Sequence, residues 1–128
     1  IRQRWGKLDI LVHSIAFAPL EDLRGGLLDC SAEGFAKAMD VSCHSFVRMA
    51  RLAAPLMDNG GTMFAMSYYG ANRVVPNYNV MGPVKAALEA ACRYLPTSSA
   101  PVISASTPSR PDRSRPAPRP ASRTSSCC

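Results

Sequence analysis

Thr62-Met63-Phe64-Ala65-Met66 is an apolar run that ends at Ser67-Tyr68-Tyr69-Gly70. A loop follows through Pro76, and an apolar helical pattern then runs from about Asn79 to Leu95. A short apolar run bounded by turn residues, with a helix after it, is the pattern of a buried strand and its following helix. Upstream, Leu8-Asp9-Ile10-Leu11-Val12-His13 has the same character, with β-branched Ile10 and Val12. Between the two, Ser31-Ala32-Glu33 with Asp29 nearby makes a helix start. From there Phe35, Met39, Val41, Phe46, Val47, Met49, Leu52 and Leu56 recur at helical spacing until Asn59-Gly60-Gly61 closes the run. The order strand, helix, strand, helix implies an α/β fold with a parallel sheet, expected to be covered on both faces. Active groups in such sheets gather beyond the carboxyl ends of the strands, here His13-Ser14 and Ser67-Tyr68. Ser14 to Gly26, with Pro19, Gly25 and Gly26 among charges, reads as a loop of functional length.

Two unlike compositions meet at Leu95. Residues 1–95 hold ten Lys and Arg against eight Asp and Glu, a net of +2, whereas 96–128 hold five Arg and only Asp112, a net of +4. The second segment is nearly all Ser, Pro, Arg, Ala and Thr, which cannot bury enough apolar surface to offset chain entropy. We therefore expect a partial α/β domain over 1–95 and a disordered tail over 96–128, with no strand after Pro96. The tail's alphabet is what GC-rich coding DNA yields out of frame, so a frameshift near codon 96 is expected. The chain does not begin with Met and reads as an internal segment. No apolar run approaches the ~20 residues of a membrane span. Cys30, Cys43, Cys92, Cys127 and Cys128 form no C-x-x-C pair, and His13 and His44 complete no metal spacing, so no metal is expected. Reduced thiols and a cytoplasmic location are the corresponding expectations.

The chemistry is concentrated in Ser67-Tyr68-Tyr69-Gly70-Ala71 and Pro76-Asn77-Tyr78-Asn79-Val80-Met81-Gly82-Pro83-Val84-Lys85. Tyr78 and Lys85 are seven residues apart. At about 100° per residue, seven helical steps are nearly two turns, which predicts both side chains on one helix face. A cation so placed lowers the cost of a phenolate. Pro83 is tolerated if it lies in the first turn, which places the helix start near Tyr78 to Val80. Taken alone, the pair could be a half-buried aromatic and a solvated lysine; His13 reads as a strand-end histidine and the methionines as core filler.

The pattern S-Y-x-G-A…P-N-Y-N-V-M-G-x-x-K resembles the active-site segment of the enoyl-acyl-carrier-protein reductases, a divergent branch of the short-chain dehydrogenase/reductase superfamily. His13-Ser14-Ile15-Ala16-Phe17-Ala18-Pro19 resembles the same family, although a glycine often holds the place of Ala16 there. The resemblance covers Ile1 to Leu95 and implies a partial Rossmann-like, doubly wound parallel sheet. It further implies reduction by NADH of the trans-2 double bond of an acyl chain on acyl carrier protein, in fatty acid biosynthesis, with charge building on the thioester oxygen. Tyr78 would donate a hydrogen bond to that oxygen and serve in proton delivery. Lys85 would bind the nicotinamide ribose and hold the field at Tyr78 positive. Tyr68 matches the second active-site tyrosine; Tyr69 beside it would only pack. Ile15, Ser14 and Ser67 match cofactor contacts, and Ala18 a substrate contact.

In the family a Gly-rich phosphate-binding segment precedes residue 1 and a strand and lid follow the tyrosine helix. The 128-residue chain alone is therefore expected to bind NADH poorly and to be inactive, while the intact parent is expected to form a homotetramer with acyl carrier protein as partner and no nucleic acid. A carbonyl-reducing short-chain enzyme is disfavoured by the seven-residue spacing, since common branches use four. The remaining alternative is a non-catalytic remnant or small binding protein whose basic tail contacts an acidic partner or nucleic acid.

Overall fold

The computed structural model describes residues 1–98 and 103–106. Among them β1 (Ile10–His13), β2 (Gly61–Ala65) and β3 (Ile103–Ser106) lie side by side in chain order, all parallel. Ile10 pairs with Thr62 and His13 with Ala65, so the first two strands end level with each other. β1 begins at Ile10 rather than Leu8, whose N–H is donated to Leu56 O (2.9 Å).

Preceding β1 is a single helical turn, α1 (Arg2–Trp5); α2 (Leu20–Leu23) punctuates the loop after it. The long helix expected from Ser31 to Leu56 is continuous but not uniform. It comprises α3 (Ala32–Met39), a π-turn (Asp40–His44), α4 (Ser45–Ala53) and a 3₁₀ turn (Ala54–Leu56). Ser31 caps α3 by accepting Gly34 N–H (2.9 Å), a contact of about 1 kcal/mol. The π-turn was not legible in the apolar spacing. α5 (Met81–Tyr94) packs against this turn and against β2 and β3. Phe46, Met57, Met63, Val80, Val84 and Leu88 are under 2% exposed and form the centre of the core. Burying one such side chain stabilises by about 1.5–3 kcal/mol.

In the order β1-β2-β3 the described helices α4 and α5 pack on one face of the sheet, and on β1 Ile10 and Val12 are 59% and 56% exposed. One expectation is corrected, the absence of a strand after Pro96. A 3₁₀ turn occupies Leu95–Ser98, and Ile103–Ser106 then pairs with β2 from Gly61↔Ile103 to Phe64↔Ser106. Pairing on one side needs extended backbone with an N–H at every second residue, and no proline falls within 103–106; the bulk composition concealed a proline-free stretch. The remainder of the expected disordered tail, 99–102 and 107–128, lies outside the described residues.

Candidate active site

Two loops leave the sheet where β1 and β2 end, and they lie side by side because those ends are in register. The β1 loop starts at Ser14 and Ile15, both exposed, and turns inward at half-buried Ala18. Ser42, fully buried in the π-turn, accepts Phe17 N–H (2.8 Å) and donates to Phe17 O (2.9 Å). Further along, the buried Asp22 carboxylate accepts Ser31 N–H (2.7 Å) and so closes the loop onto the start of α3. Gly34 must lack a side chain here, since a Cβ would sit 1.8 Å from Asp22 Oδ2. Hydrogen bonds from Ser31 hold the Asp22 carboxyl below its ordinary pKa.

The β2 loop is built from tight backbone turns. Ala71 N–H bonds Tyr68 O, Asn72 N–H bonds Tyr69 O, and Tyr78 N–H bonds Val75 O. Tyr78 follows Asn77 (φ 62°) and precedes Asn79 (φ 36°), conformations that Asn tolerates better than most residues. These reversals end the helix before it reaches Tyr78. α5 starts at Met81, Met81 N–H closes on Tyr78 O, and Gly82 N–H on Asn79 O. The expectation that Tyr78 and Lys85 share one helix face is therefore corrected: Tyr78 belongs to the turn and Lys85 to the helix. Pro83 lies in the first turn of α5, as its missing N–H requires.

The Tyr78 ring rests against Tyr68, with centroids 4.7 Å apart and planes at 53°. It also covers Gly70, where a Cβ would lie 2.4 Å from Tyr78 Cδ1. Burial, then the neighbouring Tyr68, push the Tyr78 hydroxyl above the ordinary phenol pKa. Lys85 is 5% exposed, and its ammonium donates to Met66 O (2.8 Å) at the end of β2. Burial pushes its pKa down, opposed weakly by Cys43. A solvated lysine this is not.

Ser67 directs its hydroxyl to Glu89 Oε1 (2.5 Å), and Asn72 donates to the other oxygen of Glu89 (3.1 Å). His13 is fully buried against Phe46 and contacts Ser45 Oγ (2.7 Å). Since the Ser45 hydroxyl hydrogen goes to Val41 O (2.6 Å), His13 must donate from Nε2. Burial and then the charge of Lys85 push its pKa down, and Nδ1 has no hydrogen-bond partner among the described residues. This is a packed strand-end histidine, as read from the sequence. Among the described residues Cys30, Cys43 and Cys92 are free thiols, and burial raises Cys92 to about 11.

The structure brings Tyr68, Tyr78 and Gly70 into contact, and places Lys85 at the same strand end. It leaves Ser14 and Ile15 open at the neighbouring end. For a nicotinamide nucleotide, the observation that matters is the buried ammonium of Lys85, which has one acceptor among the described residues and two further hydrogens to offer. That donor set fits ribose hydroxyls. Residues missed in the sequence are Ser42, Asp22, Asn79 and Glu89, which hold the loops in place. Only Asn79 carried a signal, as one of two asparagines flanking the tyrosine.

A family model described as enoyl-(acyl carrier protein) reductase matches residues 1–103. The enoyl-[acyl-carrier-protein] reductase [NADH] FabI of Aquifex aeolicus is 53% identical over 96 residues, which is 74% of this chain and 36% of that protein. The second such reductase of Rhizobium meliloti is 52% identical over 95 residues, covering 74% and 35%. The chain thus spans about a third of the length of the curated relatives it matches. Among solved structures, the Anaplasma phagocytophilum reductase in complex with NAD superposes with a TM-score of 0.74 at 48% identity, covering 76% of this chain and 37% of that one. FabI of Candidatus Liberibacter asiaticus superposes with a TM-score of 0.78 at 44% identity, covering 83% and 42%.

Proposed function

The chain belongs to the enoyl-(acyl-carrier-protein) reductase family, and on that premise we propose that the protein carrying this segment reduces the trans-2 double bond of enoyl thioesters on acyl carrier protein. The observation that carries the reading is the Tyr68–Tyr78 contact above Gly70, at the strand end where Lys85 buries its ammonium. When bound, NADH supplies the hydride; Lys85, Ser14 and Ile15 would hold it, with Ser67 beside them.

Tyr78 performs the work on the substrate side. Its raised pKa keeps the hydroxyl protonated at neutral pH, so it donates a hydrogen bond to the thioester oxygen as enolate charge develops there. A donor fixed by Tyr68 on one side and by the turn on the other needs no reorganisation as charge appears. Tyr68 limits the rotation of the Tyr78 ring, and Ala18 closes the substrate side of the opposing loop. Lys85 supplies hydrogen-bond donors in a dry site, where they are worth more than in water. Acyl carrier protein as partner, a homotetramer and a cytoplasmic setting belong to the same proposal.

The test is Tyr78→Phe in the full-length protein, assayed with NADH and a crotonyl thioester. Removing the hydroxyl while keeping the ring lowers kcat by about 10²-fold or more; an unchanged kcat rejects the role of Tyr78. The 128-residue polypeptide alone turns over nothing measurable, and robust NADH oxidation by it would contradict that.

A further inference from the structure

We propose that Asn79 is a positioning residue for the reduction: its carboxamide fastens the β1 loop to the turn that carries Tyr78. The inference rests on the reading of Tyr78 as the donor to the substrate oxygen.

Asn79 Nδ2 lies 2.7 Å from Leu23 O and 2.6 Å from Gly25 O. Both partners are carbonyl acceptors, so the NH₂ group and not the amide oxygen must face them. Both amide hydrogens are thereby committed to one segment, 54 and 56 residues away in sequence. That segment needs them. Leu23 ends α2, and Gly25 holds φ 83°, so neither carbonyl continues a helix. Carbonyls at and just past a helix end lack the i+4 partner that a continuing helix would give them. Asn79 provides the link from a backbone at φ 36°, which Asn accepts at little cost.

The consequence is mechanical. The β1 loop is pinned at Phe17 by Ser42 and at Ser31 by Asp22, and Asn79 is the tie between its far arm and the tyrosine turn. Ala18 and Ile15 lie on the pinned loop, and Tyr78 is the immediate neighbour of Asn79. With the tie in place, the cofactor side and the donor hydroxyl hold one spacing. Without it, the two loops move separately, and a displacement of about 1 Å at a reacting centre can cost on the order of 10²-fold.

Asn79→Gly tests this in the full-length protein, because glycine accepts the same φ and deletes only the amide. Asn79→Asp is its companion: it is nearly isosteric but offers acceptors to two acceptors. We expect about a tenfold or larger fall in kcat with NADH and a crotonyl thioester for the glycine variant, counted per mole of NADH-binding sites. The aspartate variant should fall at least as far. KM for NADH should stay within about twofold, and backbone amide exchange should quicken over residues 20–27 while that of α5 is unchanged. A wild-type kcat in Asn79→Gly overturns the proposal. So does a loss confined to the folded fraction or to KM for NADH, which a merely structural residue would give. Tyr78→Phe measured in parallel separates the two ideas. If it keeps full kcat, the reading of Tyr78 has failed, whatever Asn79 does.

Discussion

The loops after β1 and β2 start at the same level of the sheet, yet they are held by different means. The β2 loop is held by its own turns and by the helix that follows it. Its backbone closes on itself within three or four residues, its tyrosines pack on each other, and Glu89 of the following helix takes Ser67 and Asn72. The β1 loop has a short helix and a 3₁₀ turn (Leu27–Asp29) of its own but is joined to the rest of the fold by side chains of other elements: Ser42, 25 residues from Phe17, and Asn79 beyond that. A loop that folds by itself demands particular residues at each of its own positions. A loop held by others can vary in sequence but fails if one remote side chain is removed. Substitutions can therefore separate the two designs.

The largest expected effect falls on the local design. Gly70→Ala places a methyl 2.4 Å from the Tyr78 ring, and no flexible chain end is there to give way. The ring must tilt off Tyr68, taking its hydroxyl with it. In the full-length protein, kcat with a crotonyl thioester should fall by about 10²-fold, with overpacking costing roughly 1–3 kcal/mol in denaturant melts. If Gly70→Ala retains kcat within about threefold, the β2 loop is more adaptable than its turns imply.

That difference also explains what could be read from the sequence. Tyr68, Gly70 and Tyr78 form a motif because each answers to a neighbour within ten residues or so. The helix start near Val80 and the place of Pro83 were legible for the same reason. The roles of Ser42 and Asn79 were not, since a serine and an asparagine carry no mark of the backbone groups they will meet across the fold. Lys85 was singled out in the sequence, but its acceptor was not: nothing in the spacing announces the Met66 carbonyl. The positive φ at Asn77 and Asn79 likewise moved Tyr78 off the helix, although the seven-residue spacing suggested a shared face. β3 was hidden for a further reason. Four residues without proline look like nothing in a Pro- and Ser-rich stretch until β2 offers an edge.

An intermediate effect should come from the remote design. Ser42→Ala removes the one side chain that both accepts from and donates to Phe17, leaving two backbone groups without that partner in a part-buried setting. Stability should fall by about 1–3 kcal/mol in urea melts of the full-length protein. The loss should be accompanied by faster amide exchange over residues 14–20, with the β2 loop unaffected. Equal loosening of both loops would show that they are one unit, and the contrast drawn above would not hold.

The smallest effect is a pH dependence that the β1 loop should add through Asp22. Its carboxyl pKa is lowered in the folded protein, chiefly by Ser31 N–H and then by the Ser31 hydroxyl, against a desolvation that works the other way. A group whose folded pKa is depressed stabilises fully above its unfolded pKa, near 3.9, and loses that contribution as pH falls through the folded value. Melting temperature should therefore drop as pH is lowered from about 5 towards 3. Asp22→Asn keeps an oxygen for Ser31 N–H but cannot titrate, so its melting temperature should be lower than the parent's at pH 6 and should fall less steeply over that window. If both proteins lose stability in parallel, Asp22 is only filling the space that Gly34 leaves for it, and the β1 loop is closed by packing and not by charge.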